Sequence, residues 1–414
     1  MPHLSEIRRC CIEARAITGR LSVRCVIGRV SYIEVEECIE LKRLIHCDVS
    51  QQDIEAAQPV SLPELETLAR AKLTGMPWEF LDGASADEIT KGENRRAFDR
   101  LRIVPRVLRD VRNVDTRVKL FGRLHEFPIL LAPVGYHALF HSEAEIAAVR
   151  GANLCGSTLV AAAFATRTIE ETCAASAHPV WFQVYIMPDR SFTLDLIHRA
   201  EAAGCEAICI TVDFPVGSAR DREHRAGFRL PPGCDRANLR ALGAELAGKP
   251  HRPQGREFGA VIRSADATWD DIRRIKSSTR LPILLKGILH PDDAAEAVAA
   301  GVDGIIVSNH GGRTLDTFPA TIDVLPAIAN RVGRAIPVLL DGGIRRGTDV
   351  CKALALGASA VLIGRPYIWG LALDGSAGVA RCVDMLRTEL EMALALLGRN
   401  SVRELDRSIF WPKS

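Results

Sequence analysis

The sequence predicts an α/β fold, a (β/α)8 TIM barrel with an N-terminal helical segment, from three observations. Short, continuous apolar runs rich in β-branched residues recur eight times between residues 128 and 366. Such runs suit strands buried on both faces, as in a parallel sheet. Stretches rich in alanine, leucine and charge lie between most of them at helical spacing, the alternation that wraps helices around a parallel sheet. A doubly wound sheet alternates as well, but eight units in this span match the ~250 residues of a closed barrel better.

The strands, in order, read "PILLAPVG" (128–135), "GSTLVAAAF" (156–164), "VWFQVYI" (180–186), "AICITVD" (207–213), "PILLKGI" (282–288), "GIIVSNH" (304–310), "IPVLLDGGI" (336–344) and "AVLIGRP" (360–366). Among the helices, "SFTLDLIHRAEAAG" has a serine cap and a terminating glycine, and "HPDDAAEAVAAG" and "RGTDVCKALALG" repeat that design. The long gap at 214–281, rich in Arg, Gly and Pro, is expected to be a loop over the barrel mouth.

Composition excludes several classes of function. The 414 residues are 47% hydrophobic and 25% charged, as in a soluble globular protein. The formal net charge is only +2, with no basic stripe, which argues against a nucleic-acid partner. No apolar run approaches the ~20 residues of a membrane helix, and the opening residues carry no secretory signal. The twelve cysteines show neither CxxC pairing nor histidine partners at ligand spacing, so free thiols in a reducing, cytoplasmic setting and no metal are expected.

Chemistry in a barrel sits at the carboxyl ends of the strands. Polar residues fall there: Gln183, Tyr185, Thr211, Asp213, Lys286, His310, Asp341 and Arg365. "SNHGGRTLD" (308–316) therefore turns from the sixth strand into the mouth, with His310 as a candidate base and Asp213 its orienting carboxylate. "DGGIRRG" (341–347) and "IGRP" (363–366) end the seventh and eighth strands, the usual phosphate position in this fold. From residue chemistry alone Lys286 is either a Schiff-base lysine or a counter-charge to a cofactor.

These motifs, with "WFQVY" and "TVDFP", resemble the FMN-dependent L-2-hydroxy acid oxidase and dehydrogenase family, which includes glycolate, lactate and hydroxymandelate oxidases and mandelate dehydrogenase. The resemblance runs from about Leu62 to about Ser408, so residues 59–414 are expected to be one FMN hydroxy acid dehydrogenase domain. It implies oxidation of an L-2-hydroxy acid to a 2-oxo acid, with His310 as base, Asp213 its partner, Arg313 and Arg220 on the substrate carboxylate, and Tyr185 bonded to the substrate. Flavin N5 takes the electrons, which pass to oxygen or another acceptor. Lys286 then stabilises the reduced ring, which rules against the Schiff base. Pro133, Val134, Gly135, Gln183, Thr211, Ser308 and Gly311 would contact the flavin, and Asp341, Gly342, Gly343, Arg345, Gly364 and Arg365 its ribityl chain and phosphate. A homotetramer is implied, and no membrane anchor is expected, since the polar segment "GCDRANLRALGAELAGKPHRPQGREFG" stands where membrane-bound relatives insert an apolar one.

Three departures matter. Phe80 stands where the family has a tyrosine on the substrate carboxylate, Ala162 where a serine bonds the flavin, and Gly135 where many oxidases have alanine. Phe80 and the room expected beside Gly135 favour mandelate-like or longer aliphatic substrates over glycolate. The alternative is a catalytically impaired flavin-binding barrel with a binding or regulatory role. Residues 1–58 precede the resemblance and are expected to be a dispensable extension, or an over-long reading frame starting in truth near Val60. "LSVRCVIGRVSYIEVEECIEL" there alternates like a strand but has no evident partner in a closed barrel.

Overall fold

A computed structural model describes residues 13–17, 20–24, 59–242 and 264–412. The chain divides into two units, Met1–Gln58 and Pro59–Ser414. In the first, β1 (Glu13–Ile17) pairs antiparallel with β2 (Arg20–Arg24). The start of the alternating segment, residues 21–24, thus pairs locally with β1, not with a barrel strand; its remainder, residues 25–41, lies outside the described residues.

The second unit opens with the expected helical segment, α1 (Leu62–Lys72), α2 (Met76–Asp82) and α3 (Ile89–Arg100). Ser61 caps α1, its Oγ accepting from the Glu64 N–H, with Pro63 in the first turn, where a missing N–H costs nothing. Next comes an antiparallel hairpin, β3 (Val118–Leu120) with β4 (Arg123–His125). Its tip supplies Leu120 and Phe121 to the barrel interior, where Phe121 packs edge-on to Trp181 at 5.4 Å and plugs the amino-terminal end.

Eight parallel strands follow: β5 (Ile129–Leu131), β6 (Val160–Ala162), β7 (Trp181–Tyr185), β8 (Ala207–Thr211), β9 (Ile283–Ile288), β10 (Gly304–Val307), β11 (Val338–Asp341) and β12 (Ala360–Ile363). Their order is β5-β12-β11-β10-β9-β8-β7-β6, and an isolated parallel bridge from Leu131 to Leu159 joins the two ends into a barrel. Every predicted strand is present but shorter; β10, β11 and β12 end where their glycines and polar residues leave the ladder to form the mouth. Side chains alternate between two cores. Leu130, Val160, Trp181, Cys209, Leu284, Ile306, Leu339 and Leu362 fill the interior, while Ile129, Phe182, Ile210, Leu285 and Leu340 face the helices.

The surrounding helices are α4 (Glu145–Cys155), α5 (Ile169–Ala174), α6 (Arg190–Ala202), α7 (Asp221–Arg225), α8 (Trp269–Ser278), α9 (Pro291–Ala299), α10 (Thr321–Val332), α11 (Gly347–Ala355) and α12 (Arg365–Leu396), the last kinked at Asp374 and Gly375. Two expectations are corrected. The cap of α6 is Asp189, not the following serine, because its carboxylate reaches the N–H groups of both Ser191 and Phe192. The 214–281 gap is not all loop: it contains α7 and α8, the latter opened by Thr268 and Asp271, whose carboxylate accepts from the Thr268 N–H at 3.0 Å. Residues 243–263, within that gap, lie outside the described residues.

Candidate active site

The site is built on the turn that leaves β10. Asn309, fully buried, exchanges two 2.8 Å amide hydrogen bonds with Asn94 of α3, fixing the turn to the helical segment. Asp316, at the far end of the turn, caps α3 by accepting from the Ile89 and Thr90 N–H groups. Between these anchors His310 adopts φ 57°, a left-handed conformation uncommon for a residue with a Cβ. Strain of that kind persists only where the surroundings enforce it. Ser308 Oγ helps, accepting from the His310 N–H at 3.0 Å and from Lys286 Nζ at 2.8 Å.

His310 Nδ1 lies 2.9 Å from Asp213 Oδ1, just beyond the end of β8. With Nδ1 donating to the carboxylate, Nε2 keeps the lone pair of a base. Gly287, at φ 114°, lets the two strands come this close: a Cβ there would stand 2.4 Å from that of Asp213. Burial lowers the His310 pKa below the ordinary imidazole value, Lys286 and Arg220 pushing the same way and Asp213 opposing. Burial raises Asp213, but His310 and Lys286 outweigh it and hold the carboxyl below its usual range.

Two arginines converge nearby. Arg313 donates through Nη1 to the carbonyls of Phe80 at 2.6 Å and Gly83 at 2.8 Å, and through Nη2 to Glu223 Oε1 at 2.7 Å. Arg220 donates through Nη1 to the same carboxylate at 3.1 Å, and its guanidinium lies over the Phe214 ring at 5.1 Å. Burial, then the charge of Arg220, pulls Arg313 down to about 9. A cation disfavoured in this way is relieved by an anion.

Lys286 sits deeper in the barrel, its side chain 5% exposed, with Nζ 3.0 Å from Asp341 Oδ2. Burial lowers its pKa, but Asp341 and Asp213 dominate and hold it above the ordinary lysine value. An amine tied to Asp341 and Ser308 in this way is poorly placed as a Schiff-base nucleophile. Beside it Gln183 Nε2 donates to Thr211 Oγ1 at 3.0 Å, and Gln183 Oε1 accepts from the Ala163 N–H at 3.2 Å.

At the ends of β11 and β12, Arg345 and Arg365 are half-buried and donate to backbone carbonyls. Arg365 donates to the carbonyls of Leu81, Gly311 and Gly83; Arg345 donates to that of Ile344 and stacks over Trp369 at 4.7 Å. Burial draws both down, Arg345 to about 10. Gly342 and Gly343 both have positive φ, and a Cβ on Gly343 would lie 2.1 Å from the Asn94 carbonyl. Two half-buried guanidiniums beside a glycine turn have the donor chemistry to hold an anion such as a phosphate. Gly364 stands between β12 and Arg365, and Pro133, Val134 and Gly135 follow β5, all at the same mouth.

Tyr185, at the end of β7, stands 5.1 Å ring to ring from Phe164. Phe80 stacks on Phe228 at 4.7 Å and packs against Tyr136 at 5.6 Å, with Arg313 over its other side at 5.0 Å. The expected room beside Gly135 is absent: a Cβ there would meet the Phe164 carbonyl at 3.2 Å and its Cβ at 3.3 Å, so Phe164 already fills it. Sequence reasoning passed over Asn94, Glu223, Tyr136, Phe164 and Phe228. Only Phe164 and Tyr136 carried a signal, each lying just past a strand end.

The model of the family described as FMN-dependent dehydrogenase matches residues 69–412. An L-lactate oxidase of Nostoc sp. is 42% identical over 357 residues, covering 85% of this chain and 98% of that protein. The 4-hydroxymandelate oxidase of Amycolatopsis orientalis is 44% identical over 352 residues, covering 83% and 96%. A solved structure of mandelate oxidase with (S)-4-hydroxymandelic acid shares 42% identity at a TM-score of 0.78, covering 84% of this chain and 98% of that one. Among the described residues no helix is long and apolar enough to cross a membrane.

Proposed function

The chain belongs to the FMN-dependent dehydrogenase family, and on that premise we propose that it oxidises an L-2-hydroxy acid to the 2-oxo acid with His310 as base and oxygen as the final acceptor. The observation that carries the reading is the His310–Asp213 pair at 2.9 Å, in the same mouth as two arginines that meet on one carboxylate.

Arg313 and Arg220 bind the substrate carboxylate and turn its α-carbon toward His310. His310 Nε2 removes a substrate proton, and Asp213 stabilises the imidazolium that results. Tyr185 hydrogen-bonds the substrate from β7. FMN is the cofactor of the family, and when bound it supplies the two-electron acceptor. The residues present fit it: Lys286 is a fixed buried cation for the ring, Asp341 Oδ1 is a buried acceptor with no partner among the described residues, and Arg345 and Arg365 suit the phosphate. Phe80, Phe164 and Phe228 give the pocket an apolar wall that favours an aromatic or long aliphatic side chain over glycolate.

The test is anaerobic mixing of the yellow holoenzyme with L-lactate and with (S)-mandelate. Bleaching, followed by recovery of colour and stoichiometric peroxide on admission of air, is the expected result. A flavin that stays yellow with every 2-hydroxy acid overturns the reaction; bleaching that only a dye or quinone reverses overturns oxygen as acceptor.

A further inference from the structure

We propose that Glu223 is a positioning residue: a resident carboxylate that holds Arg313 and Arg220 together in the free enzyme and gives way to the carboxylate of the substrate. This rests on the reading of the two arginines given above. The contacts are 2.7 Å from Arg313 Nη2 to Oε1, and 3.1 and 3.3 Å from Arg220 Nη1 to the two carboxylate oxygens. Glu223 is 8% exposed, so this is an ion triad shielded from solvent and salt rather than a surface pair.

Competition follows from where the free donors lie: Nη2 of Arg313 has a second N–H, but using it sets an incoming carboxylate directly beside that of Glu223. A carboxylate gripped side-on by a guanidinium uses two adjacent nitrogens. In Arg313, Nη1 is already committed to the carbonyls of Phe80 and Gly83, so a paired grip must use Nη2, the nitrogen that Glu223 holds. In Arg220, Nε donates to Ser218 Oγ at 3.0 Å and to the Arg313 carbonyl, leaving Nη1, again on Glu223, as part of the face toward Arg313. Two carboxylates on these atoms would also repel each other.

What moves is the Glu223 side chain, not the backbone. The preceding residue on α7, Arg222, is clamped to Glu79 at 2.5 Å and Asp82 at 2.7 Å on α2 and to Glu88 at 3.3 Å. Ser218 Oγ, donating to the Arg313 carbonyl at 2.8 Å, pins the other end of the segment. With the backbone before Glu223 held at both points, a rotation of its side chain frees both guanidiniums without displacing them. The triad thus keeps two like charges preassembled, at the cost of weaker binding for any carboxylate that must displace the resident one.

The test uses holoenzyme and oxalate, a carboxylate with no hydrogen to lose, titrated against the visible flavin spectrum. Glu223→Gln should bind oxalate about tenfold more tightly, the gain expected where the latched form holds ~90% of the free enzyme. KM for the best 2-hydroxy acid should fall by a similar factor while kcat changes less. Oxalate binding equal to or weaker than wild type overturns the proposal, because a merely structural glutamate gives that result. If the wild-type flavin is never bleached by a hydroxy acid yet Glu223→Gln binds oxalate more tightly, the reaction is misassigned and the latch stands. Should the variant fail to retain flavin, a crystal structure of wild-type holoenzyme with oxalate decides: Glu223 is expected out of hydrogen-bonding range of Arg313 Nη2, and a retained contact beside bound oxalate overturns the proposal.

Discussion

Asp213 meets His310 with one oxygen only: Oδ1 lies 2.9 Å from Nδ1, while Oδ2 is buried with no hydrogen-bond partner among the described residues. Burial opposes the charge on this carboxylate, and the His310 contact with the nearby charge of Lys286 is what outweighs it.

Replacing His310 by Gln removes the base and leaves the phosphate and ring contacts intact. The variant should remain yellow and reduce its flavin ~10²–10⁴-fold more slowly with substrate. Stopped-flow reduction close to the wild-type rate would refute the assignment.

The pH profile follows from the direction of the histidine shift. His310 works as a base only when neutral, and its pKa lies below the ordinary 6.5. Therefore kcat/KM should hold its plateau through neutral pH and fall only as the medium is acidified through that lowered pKa. In Asp213→Asn the carboxylate no longer favours the imidazolium, so the acid limb should move further down in pH while the plateau drops. An acid limb that moves up would contradict the pairing.

Removing the buried cation leaves Asp341 alone in the barrel. Lys286→Met should lose ~3–5 kcal/mol of stability, the cost of stranding a buried charge. The double variant Lys286→Met, Asp341→Leu should recover part of that loss in denaturant unfolding. Equal stability of the two would show that the 3.0 Å pair contributes little.

Substrate choice rests on the aromatic wall. On one preparation, kcat/KM should rank (S)-mandelate or L-2-hydroxyoctanoate above L-lactate and glycolate. Phe228→Ala, which removes the ring stacked on Phe80, should narrow the preference by ~1–3 kcal/mol, roughly 10-fold or more. Glycolate emerging as the best substrate would show that Phe80 only packs the rim.

A chain beginning at Val60 keeps the cap at Ser61 and every element of the barrel unit. It should express, bind FMN and melt within a few degrees of the full chain by calorimetry. An insoluble or flavin-free product would give residues 1–58 a structural role.

The sequence by itself determined the eight strands, their parallel sense and the strand ends that carry the polar chemistry. Continuous β-branched runs and helical spacing are local patterns, and a barrel imposes one rule about where polar strand ends point. It also marked His310, Asp213, Lys286 and the arginine motifs, because each adjoins an apolar run. Tertiary structure alone decided the rest. Asn94 pairs with Asn309 across 215 positions, and Glu223 joins Arg313 across 90. Neither partnership leaves a periodic trace, since a polar residue on a loop looks solvated until another element covers it. Gly135 was misjudged for the same reason: a missing methyl suggests space, but whether the space is empty depends on the neighbour, and Phe164, just past the end of the next strand and brought there only by barrel closure, occupies it.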